Sequence, residues 1–379
     1  MGLIFGGMGL WVDTYRPVRL NELVFHRELG EQLRNLVRAG DFPHLLFYGP
    51  SGAGKKTLVS ALLRELYGKG VDKVKVETKT WSVAREGATA VDVETTTVAS
   101  NYHVEINPST AKQRDTYVVQ EVIKEMAATR TASMNGVEGE GGGAGAGGSS
   151  SARRFKVIVI SEADALSKNA QASLRRTMEK YSGSCRLVLW CESASRIIEA
   201  VRSRCLCLRV PAPSEEDVGV VLDNVVRREG AGPLPAGLRQ RVVKHAGGNM
   251  RRALLALETA KAQRFPFAED QALTPVDWEG FVAQVANDMM AEQTPRRLYM
   301  VRGKLYDLLV NCIPPTLVFK QLVRELLAKL DAELKHEVTH WAAFYEHRMK
   351  LGSKAIFHIE AFCAKFMAIY KGYLQSMFG

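Results

Sequence analysis

Short apolar runs alternate with longer amphipathic segments over the first half of the chain. The runs at 45–48, 155–160 and 187–191 are almost entirely hydrophobic, which is typical of strands buried on both faces of a parallel sheet. Residues 20–39 and 110–129 instead repeat their apolar positions with the period of a helix. Strands that alternate with helices over about the first 210 residues predict a doubly wound parallel α/β sheet.

Two segments depart from this alternation. Residues 74–106 alternate apolar and polar positions in a stretch rich in Val and Thr, which predicts strands interrupted by a turn at Glu86-Gly87. Residues 135–151 consist almost entirely of Gly, Ala, Glu and Ser. Such a composition cannot bury enough apolar surface to offset its chain entropy, so we interpret this segment as a disordered insertion within the first domain.

The pattern changes at Pro211-Ala212-Pro213. Ser214 and Asp217 have the spacing of a capping box, and Asn249 precedes a further helical period. Only helical periods follow, as far as the end of the chain. We therefore expect an α/β domain, a small helical domain and an all-α C-terminal domain. In chain order these are residues 1–212, 213–268 and 269–379.

Composition and charge narrow this picture only slightly. The 379 residues are 46% hydrophobic and 24% charged, as in ordinary globular domains. The net charge of +10 suggests a polyanionic partner such as nucleic acid, although the basic residues are spread along the chain. Six cysteines without a C-x-x-C pair favour neither a zinc site nor a disulfide framework. No apolar run reaches the roughly 18 residues of a membrane span, so we expect a soluble intracellular protein.

The stretch after the run at 45–48 matches a phosphate-binding loop. Gly49, Gly54 and Lys55 fit the pattern G-x-x-x-x-G-K-[ST] up to its last position, and a helical pattern follows. The glycines allow backbone N–H groups to face the phosphates at a helix N-terminus, and Lys55 adds a positive charge. We predict that this loop binds ATP or ADP. Its residues are Gly49, Pro50, Ser51, Gly52, Ala53, Gly54, Lys55, Lys56 and Thr57.

The two protein ligands that a nucleotide hydrolase provides for Mg²⁺ are both replaced. Lys56 stands where a loop hydroxyl should hold the ion, and Ser161 stands where the strand at 155–160 should end in Asp. Glu162 remains at the position of the water-polarising acid. We expect this site to hold nucleotide and to hydrolyse it poorly, which leaves its use of Mg²⁺ open. Our hypothesis is that Lys56 partly substitutes for the missing cation.

A zinc-protease pattern, H-E-x-x-H, occurs at 336–340. A third ligand is lacking at the usual downstream spacing, and the segment continues as an amphipathic helix through Trp341 and Phe344. We reject the protease interpretation and predict no metal site.

The sequence alone does not decide the role of two arginines and one segment. Arg204 could be an arginine finger for a neighbour's nucleotide, but a surface ion pair or a helix C-cap is favoured. Arg251 follows Gly247-Gly248-Asn249 and could reach the phosphates from a lid. The aromatic and basic segment from Trp11 to Pro17 could pack over an adenine or cap the domain, and its pattern favours neither.

Six segments carry a resemblance to a known family. They are Trp11–Pro17, Gly49–Thr57, Ser161–Asp164, Ala172–Glu179, Arg202–Cys205 and Gly248–Arg251. Together they resemble a small subunit of replication factor C, the eukaryotic sliding-clamp loader of the AAA+ class. The Lys-Lys-Thr loop, the missing strand-end Asp and the run at 99–103 are similar to the small subunit whose own ATP site is degenerate. Glu192 stands where the family's first sensor is usually Asn.

The resemblance implies an AAA+ module followed by a helical collar that assembles a heteropentamer. Partners would be four other loader subunits, the sliding clamp (proliferating cell nuclear antigen) and primer–template DNA, in the nucleus, during replication and repair. Arg204 would act in trans on an adjacent subunit's ATP, whereas Glu162 would be vestigial. Further nucleotide contacts would come from Val12, Tyr15, Arg16, Pro17 and Arg251, and candidate DNA contacts from Lys168, Arg175 and Arg176.

Two rival functions follow from other interpretations of the same residues. One is a self-sufficient AAA+ ATPase that remodels DNA, which requires intact Mg²⁺ ligands. The other is a scaffold subunit that binds no nucleotide, which the retained Gly49, Gly54 and Lys55 disfavour.

Overall fold

The computed structural model describes residues 9–40, 42–85, 88–107, 115–128, 155–274 and 276–378. The chain forms two compact units, and the second begins at Thr274. The predicted turn at Glu86-Gly87 and the predicted insertion at 135–151 lie outside the described residues. The finer division of the first unit at residue 212 stays a prediction.

The described strands all belong to the first unit. Their bounds are β1 His44–Tyr48, β2 Lys75–Arg85, β3 Ala88–Ala99, β4 His103–Ile106, β5 Lys156–Ile160, β6 Cys185–Cys191 and β7 Cys205–Arg209. The helices of this unit are α1 Trp11–Thr14, α2 Arg27–Arg38, α3 Lys55–Tyr67, α4 Asp115–Tyr117, α5 Lys124–Ala128, α6 Lys168–Lys180, α7 Glu199–Arg202, α8 Glu215–Arg228, α9 Ala236–Ala246 and α10 Met250–Gln263. A π-helical turn, Val118–Ile123, joins α4 to α5.

The sheet has the strand order β2-β3-β4-β5-β6-β1-β7. From β4 to β7 neighbouring strands run parallel, whereas β2 and β3 form an antiparallel pair and β3 is antiparallel to β4. The predicted parallel α/β sheet is therefore confirmed. An antiparallel extension at one edge, which the pattern of residues 74–106 did not specify, makes the whole sheet mixed.

The central strands are buried on both faces, which explains their unbroken apolar sequences. Leu46, Ile158 and Leu189 belong to a core on one face, and Phe47 and Val159 belong to a core on the other. Because β1 lies between β6 and β7, the chain order reverses next to it. Ligands of open α/β sheets bind at the carboxyl ends of strands near such a reversal, where the phosphate loop leaves β1.

Three helices of the first unit, α8 to α10, lie within residues 213–268, and we call them the lid. The Ser214 side chain accepts from the Asp217 backbone at 3.1 Å and Asp217 reaches back to the Ser214 N–H, which confirms the capping box. The Asn249 side chain caps α10 by accepting from Arg252 N at 3.1 Å, as its position predicted. Trp11, only 6% exposed, packs into the core of these helices.

In the second unit, the regular secondary structure of the described residues consists of α-helices. The helices are α11 Asp277–Ala291, α12 Pro295–Val310, α13 Pro315–Lys329, α14 Ala332–Leu351 and α15 Ala355–Phe378. Phe319 and Phe362 meet edge to face at 4.9 Å between ring centroids in the core of this unit. Across the described ranges of the chain, no helix is long and apolar enough to cross a membrane.

Gln171 connects α6 to the turn that follows β6. Its Nε2 donates to the carbonyls of Leu166 at 3.0 Å and Arg196 at 3.2 Å, and its Oε1 accepts from Ile198 N at 2.8 Å. The side chain is 2% exposed.

A buried polar group without a partner costs about 1–3 kcal/mol, so we expect Gln171→Leu to lower the free energy of unfolding by at least about 2 kcal/mol.

Urea denaturation of the full chain measures this change. Arg176→Ala, an exposed position on the same helix, is the control and is expected to change stability by less than about 0.5 kcal/mol. Equal unfolding midpoints for Gln171→Leu and the control would contradict the structural role of the amide.

Candidate nucleotide-binding site

The loop between β1 and α3 has the conformation that its glycines allow. A Cβ at Gly49 would lie 2.0 Å from the Val210 carbonyl oxygen, and Gly52 and Gly54 have φ values of +75° and +94°. Among the described residues, no acceptor meets the backbone N–H groups of Gly52, Gly54 and Lys55. These groups stand at the N-terminus of α3, which is the arrangement that binds phosphate.

Lys55 folds back over the loop. Its Nζ donates to the carbonyl oxygens of Gly49 at 2.7 Å and Pro50 at 2.8 Å, and the residue is 6% exposed. Burial lowers the pKa of the Lys55 ammonium, against the opposing effect of the carboxylates of Glu192 and Asp164. The ammonium is therefore already held at the loop, close to where phosphates would bind.

A cavity of about 620 Å³ opens beside the loop. Its walls come from the N-terminal segment, the residues after β5 and β6, and the lid helices α8 and α10. This volume lies within the range of about 300–1,000 Å³ that is typical of small-molecule sites. The basic side chains in its walls are Arg16, Lys55, Lys56, Arg196, Arg228 and Arg251, and the acidic ones are Glu22, Glu162, Asp164 and Glu192. The excess of basic groups suits a polyphosphate.

Most of the predicted nucleotide contacts lie in these walls. They are Val12, Tyr15, Arg16, Pro17, Ser51, Gly52, Gly54, Lys55, Lys56, Thr57 and Arg251. Gly49, Pro50 and Ala53 shape the loop without lining the cavity. Glu162 also lines it and has a φ of +51°, which non-glycine residues rarely adopt.

The N-terminal segment is fastened to the lid. The Trp11 N–H donates to the Glu258 carboxylate at 3.2 Å, and the Lys261 ammonium lies 4.8 Å from the centroid of the Trp11 ring. The Tyr15 hydroxyl donates to Glu229, which also accepts from Lys261 at 2.7 Å. This hydrogen bond to Glu229 raises the pKa of Tyr15 to about 12. Trp11 thus packs on the lid while Val12, Tyr15, Arg16 and Pro17 line the cavity. The capping interpretation describes Trp11, and contact of the later residues with an adenine stays a prediction.

The lid also touches the phosphate loop directly. The Met250 N–H donates to the Gly52 carbonyl at 3.2 Å. A Cβ at Gly52 would lie 1.9 Å from Asn249 Oδ1. Since Arg251 follows this contact in the chain, docking of α10 on the loop determines where Arg251 enters the cavity wall.

Neither replaced Mg²⁺ ligand offers a suitable group to an ion. The Ser161 hydroxyl donates to the Ile106 carbonyl at 3.1 Å, the residue is 5% exposed, and it does not line the cavity. The Lys56 ammonium lies 3.5 Å from Glu105 Oε1. Within the described parts of the chain, no group of three or more His, Cys, Asp or Glu side chains could hold a metal ion. The residues present therefore fit a nucleotide but not the usual Mg²⁺ ligand pair.

Arg204 does not line the cavity. Its Nη2 and Nε donate to Glu179 Oε1 at 2.5 and 2.9 Å, and its Nη1 donates to the Ala200 carbonyl at 2.7 Å. Arg204 thus combines a surface ion pair with a contact to a helical carbonyl. Arg175 pairs with the same carboxylate at 3.2 Å. Lys168, Arg175 and Arg176, the candidate DNA contacts, are all exposed on α6.

Three basic residues of the cavity wall were not predicted from the sequence. Arg196 follows the carboxyl end of β6, so its strand-end position could have identified it. Arg228 ends α8 and enters the wall only because the lid folds over the sheet. His26, with a φ of +60°, places its Nε2 3.2 Å from the Ala53 carbonyl oxygen, and burial lowers its pKa.

Comparison with known proteins gives matches over nearly the whole chain. Residues 45–209 match the ATPase family associated with various cellular activities (AAA), and residues 278–374 match the replication factor C subunit 3 C-terminal domain. Replication factor C subunit 3 of Arabidopsis thaliana is 52% identical over 370 residues, 98% of this chain and 100% of that protein. The Homo sapiens protein of the same name is 49% identical over 368 residues, which are 97% of this chain and 98% of that protein.

A solved structure, the Thermotoga maritima RuvB Holliday junction branch migration motor, matches at 14% identity with a TM-score of 0.45. The match covers 76% of this chain and 85% of that one.

The close approach at Gly52 makes a specific prediction. In Gly52→Ala the new methyl group meets Asn249 and the residue keeps a left-handed φ, so the loop must shift and its N–H groups no longer converge. We expect nucleotide affinity of the full chain to fall by roughly tenfold or more, measured with a fluorescent ATP analogue.

Gly183→Ala is the matched control, because a Cβ there meets nothing within 4 Å and the residue lies outside the cavity wall. Its affinity should equal that of the unaltered chain. An unaltered affinity in Gly52→Ala as well would show that the loop does not depend on this contact.

Proposed function

This chain belongs to the replication factor C subunit family, and from that premise we propose that it is a subunit of a heteropentameric, ATP-dependent sliding-clamp loader. It binds ATP or ADP, hydrolyses it poorly, and supplies an arginine to the ATP of an adjacent subunit. The observation that carries this proposal is the cavity, where a phosphate loop, a lid arginine and an excess of basic side chains converge.

Poor hydrolysis follows from the missing metal ligands. Phosphoryl transfer needs a cation to neutralise the charge that develops on the phosphates, and AAA+ sites hold it with a loop hydroxyl and a strand-end Asp. Here Ser161 uses its hydroxyl within the sheet and Lys56 replaces the loop hydroxyl. Glu162 alone, even on the cavity wall, cannot supply this neutralisation and is vestigial.

Arg204 serves a neighbour's site and not its own. Its guanidinium is absent from the wall of its own cavity, and its side chain is 30% exposed. An arginine finger increases phosphoryl transfer by about 10³–10⁵-fold in hydrolases that use one. A chain with a weak site of its own thereby remains necessary for turnover in the assembly.

The remaining partners follow from family membership and surface charge. We propose that Lys168, Arg175 and Arg176, exposed on α6, contact the phosphates of primer–template DNA, and that the sliding clamp docks on the first unit. Residues 1–212 form the nucleotide domain, 213–268 the lid and 269–379 the collar that assembles the pentamer. The loader acts in the nucleus, in DNA replication and repair.

Simple measurements on the full chain distinguish the proposed function from two alternatives. A self-sufficient DNA-remodelling ATPase predicts robust DNA-stimulated ATP hydrolysis by the chain alone, which the missing Mg²⁺ ligands oppose. A scaffold without nucleotide predicts that none is retained through purification, which the loop and the basic cavity oppose.

The arginine-finger role is tested in the assembled complex. With Arg204→Ala we expect one phase of single-turnover ATP hydrolysis to slow by roughly 10³-fold or more, because one neighbouring site loses its cation. Arg202→Ala, an exposed neighbour, should leave every phase unchanged. Gel filtration checks that the pentamer still assembles. Unchanged hydrolysis in Arg204→Ala, in the presence of clamp and DNA, would remove Arg204 from the site.

The weak dependence on metal is tested by chelation. We expect EDTA to change the ATP affinity of the full chain by less than about tenfold, since Lys56 and not Mg²⁺ balances the phosphate charge. Lys56→Thr, which restores the hydroxyl, should make binding more dependent on Mg²⁺. A collapse of affinity in EDTA for the unaltered chain would contradict the hypothesis.

A further inference from the structure

Glu179 stands at the centre of a small charged cluster near the end of α6. Its Oε1 accepts from Arg204 Nη2 at 2.5 Å, Arg204 Nε at 2.9 Å and Arg175 Nε at 3.2 Å. These hydrogen bonds, that of Arg175 first and then that of Arg204, hold the pKa of the Glu179 carboxyl below its usual value. The carboxylate is therefore a permanent negative charge at neutral pH.

The cluster restrains the Arg204 guanidinium from two sides. A guanidinium has five N–H donors. Glu179 accepts from Nε and from one donor of Nη2, and the Ala200 carbonyl accepts from one donor of Nη1. One N–H donor remains on each Nη atom. The remaining donor of Nη1 makes a long hydrogen bond of 3.3 Å to the Ser203 hydroxyl. Two donors can thus still contact a phosphate while the other three fix the plane of the group.

Such restraint matters for a residue that stabilises a transition state. An unrestrained Arg side chain loses rotamer entropy worth about 2 kcal/mol when it is ordered. A misplacement of about 1 Å at a reacting centre can reduce the rate roughly 10²-fold. The backbone of Glu179 is held in the last turn of α6, a helix of 13 residues, and its side chain is 47% exposed.

We propose that Glu179 is a positioning residue for the adjacent subunit's ATP site, which it serves by holding Arg204 in place. The inference rests on the proposed role of Arg204 as an arginine finger. Arg175 shares the carboxylate of Glu179, and its Nε is consequently occupied within this cluster.

The test uses the assembled pentamer with clamp and primer–template DNA, and follows the phase of ATP hydrolysis that Arg204→Ala slows. We expect Glu179→Ala to slow that phase roughly 10- to 100-fold with an unchanged dependence on ATP concentration, because placement and not nucleotide affinity is lost. Glu179→Gln keeps an acceptor oxygen and should show an intermediate rate. The double variant with Arg204→Ala should be no slower than Arg204→Ala alone.

Glu199→Ala is the matched control, since this carboxylate lies nearby at the start of α7 and is exposed. It should leave all phases unchanged. If Arg204→Ala slows no phase, the arginine finger itself is refuted. If Arg204→Ala slows a phase but Glu179→Ala does not, only the positioning role is refuted. A double variant slower than Arg204→Ala would also refute it, because Glu179 would then act independently of Arg204. Gel filtration confirms assembly for each variant.

Discussion

The candidate site requires the lid to stay docked on the phosphate loop, and one contact between them is the hydrogen bond of 3.2 Å from the Met250 N–H to the Gly52 carbonyl. It joins the phosphate loop to the helix that carries Arg251, two parts of the chain about 200 residues apart in sequence. A single hydrogen bond of this kind contributes only about 1 kcal/mol, so further contacts must hold the lid in place. Trp11, buried in the lid core and bonded to Glu258, provides one of them. Without these contacts the cavity would lack one of its walls.

Much of this arrangement could be predicted from local patterns. The buried strands were recognisable because a parallel sheet covered on both faces requires unbroken apolar runs, and the caps at Ser214 and Asn249 because their side chains act within one helical turn. The pairing of the antiparallel strands β2 and β3 was harder to predict, because alternation of apolar and polar residues indicates a strand but not its partner. Arg228 and the pairing of Lys261 with Trp11 had no local signal, because they depend on how the lid folds over the sheet.

The two departures from the hydrolase pattern end at the same strand, β4. Ser161 donates to the carbonyl of Ile106, and Lys56 pairs with Glu105 on the same strand. The first bond is buried and lies at the carboxyl ends of the neighbouring strands β4 and β5. The second is half exposed, and exposed ion pairs contribute only about 0–1 kcal/mol. The ion pair of Lys56 is therefore easier to break than the buried hydrogen bond of Ser161.

Two paths along the chain lead from the cavity to the ion pair of Arg204. Arg196 lines the cavity, and eight residues later the chain reaches Arg204. Asp164 lines the same cavity and lies four residues before α6, and the last turn of α6 contains Glu179. A nucleotide that contacts both walls would restrain both paths at once. The two paths meet again at the ion pair between Arg204 and Glu179, so this ion pair is connected to the cavity wall both through α6 and through the turn after β6.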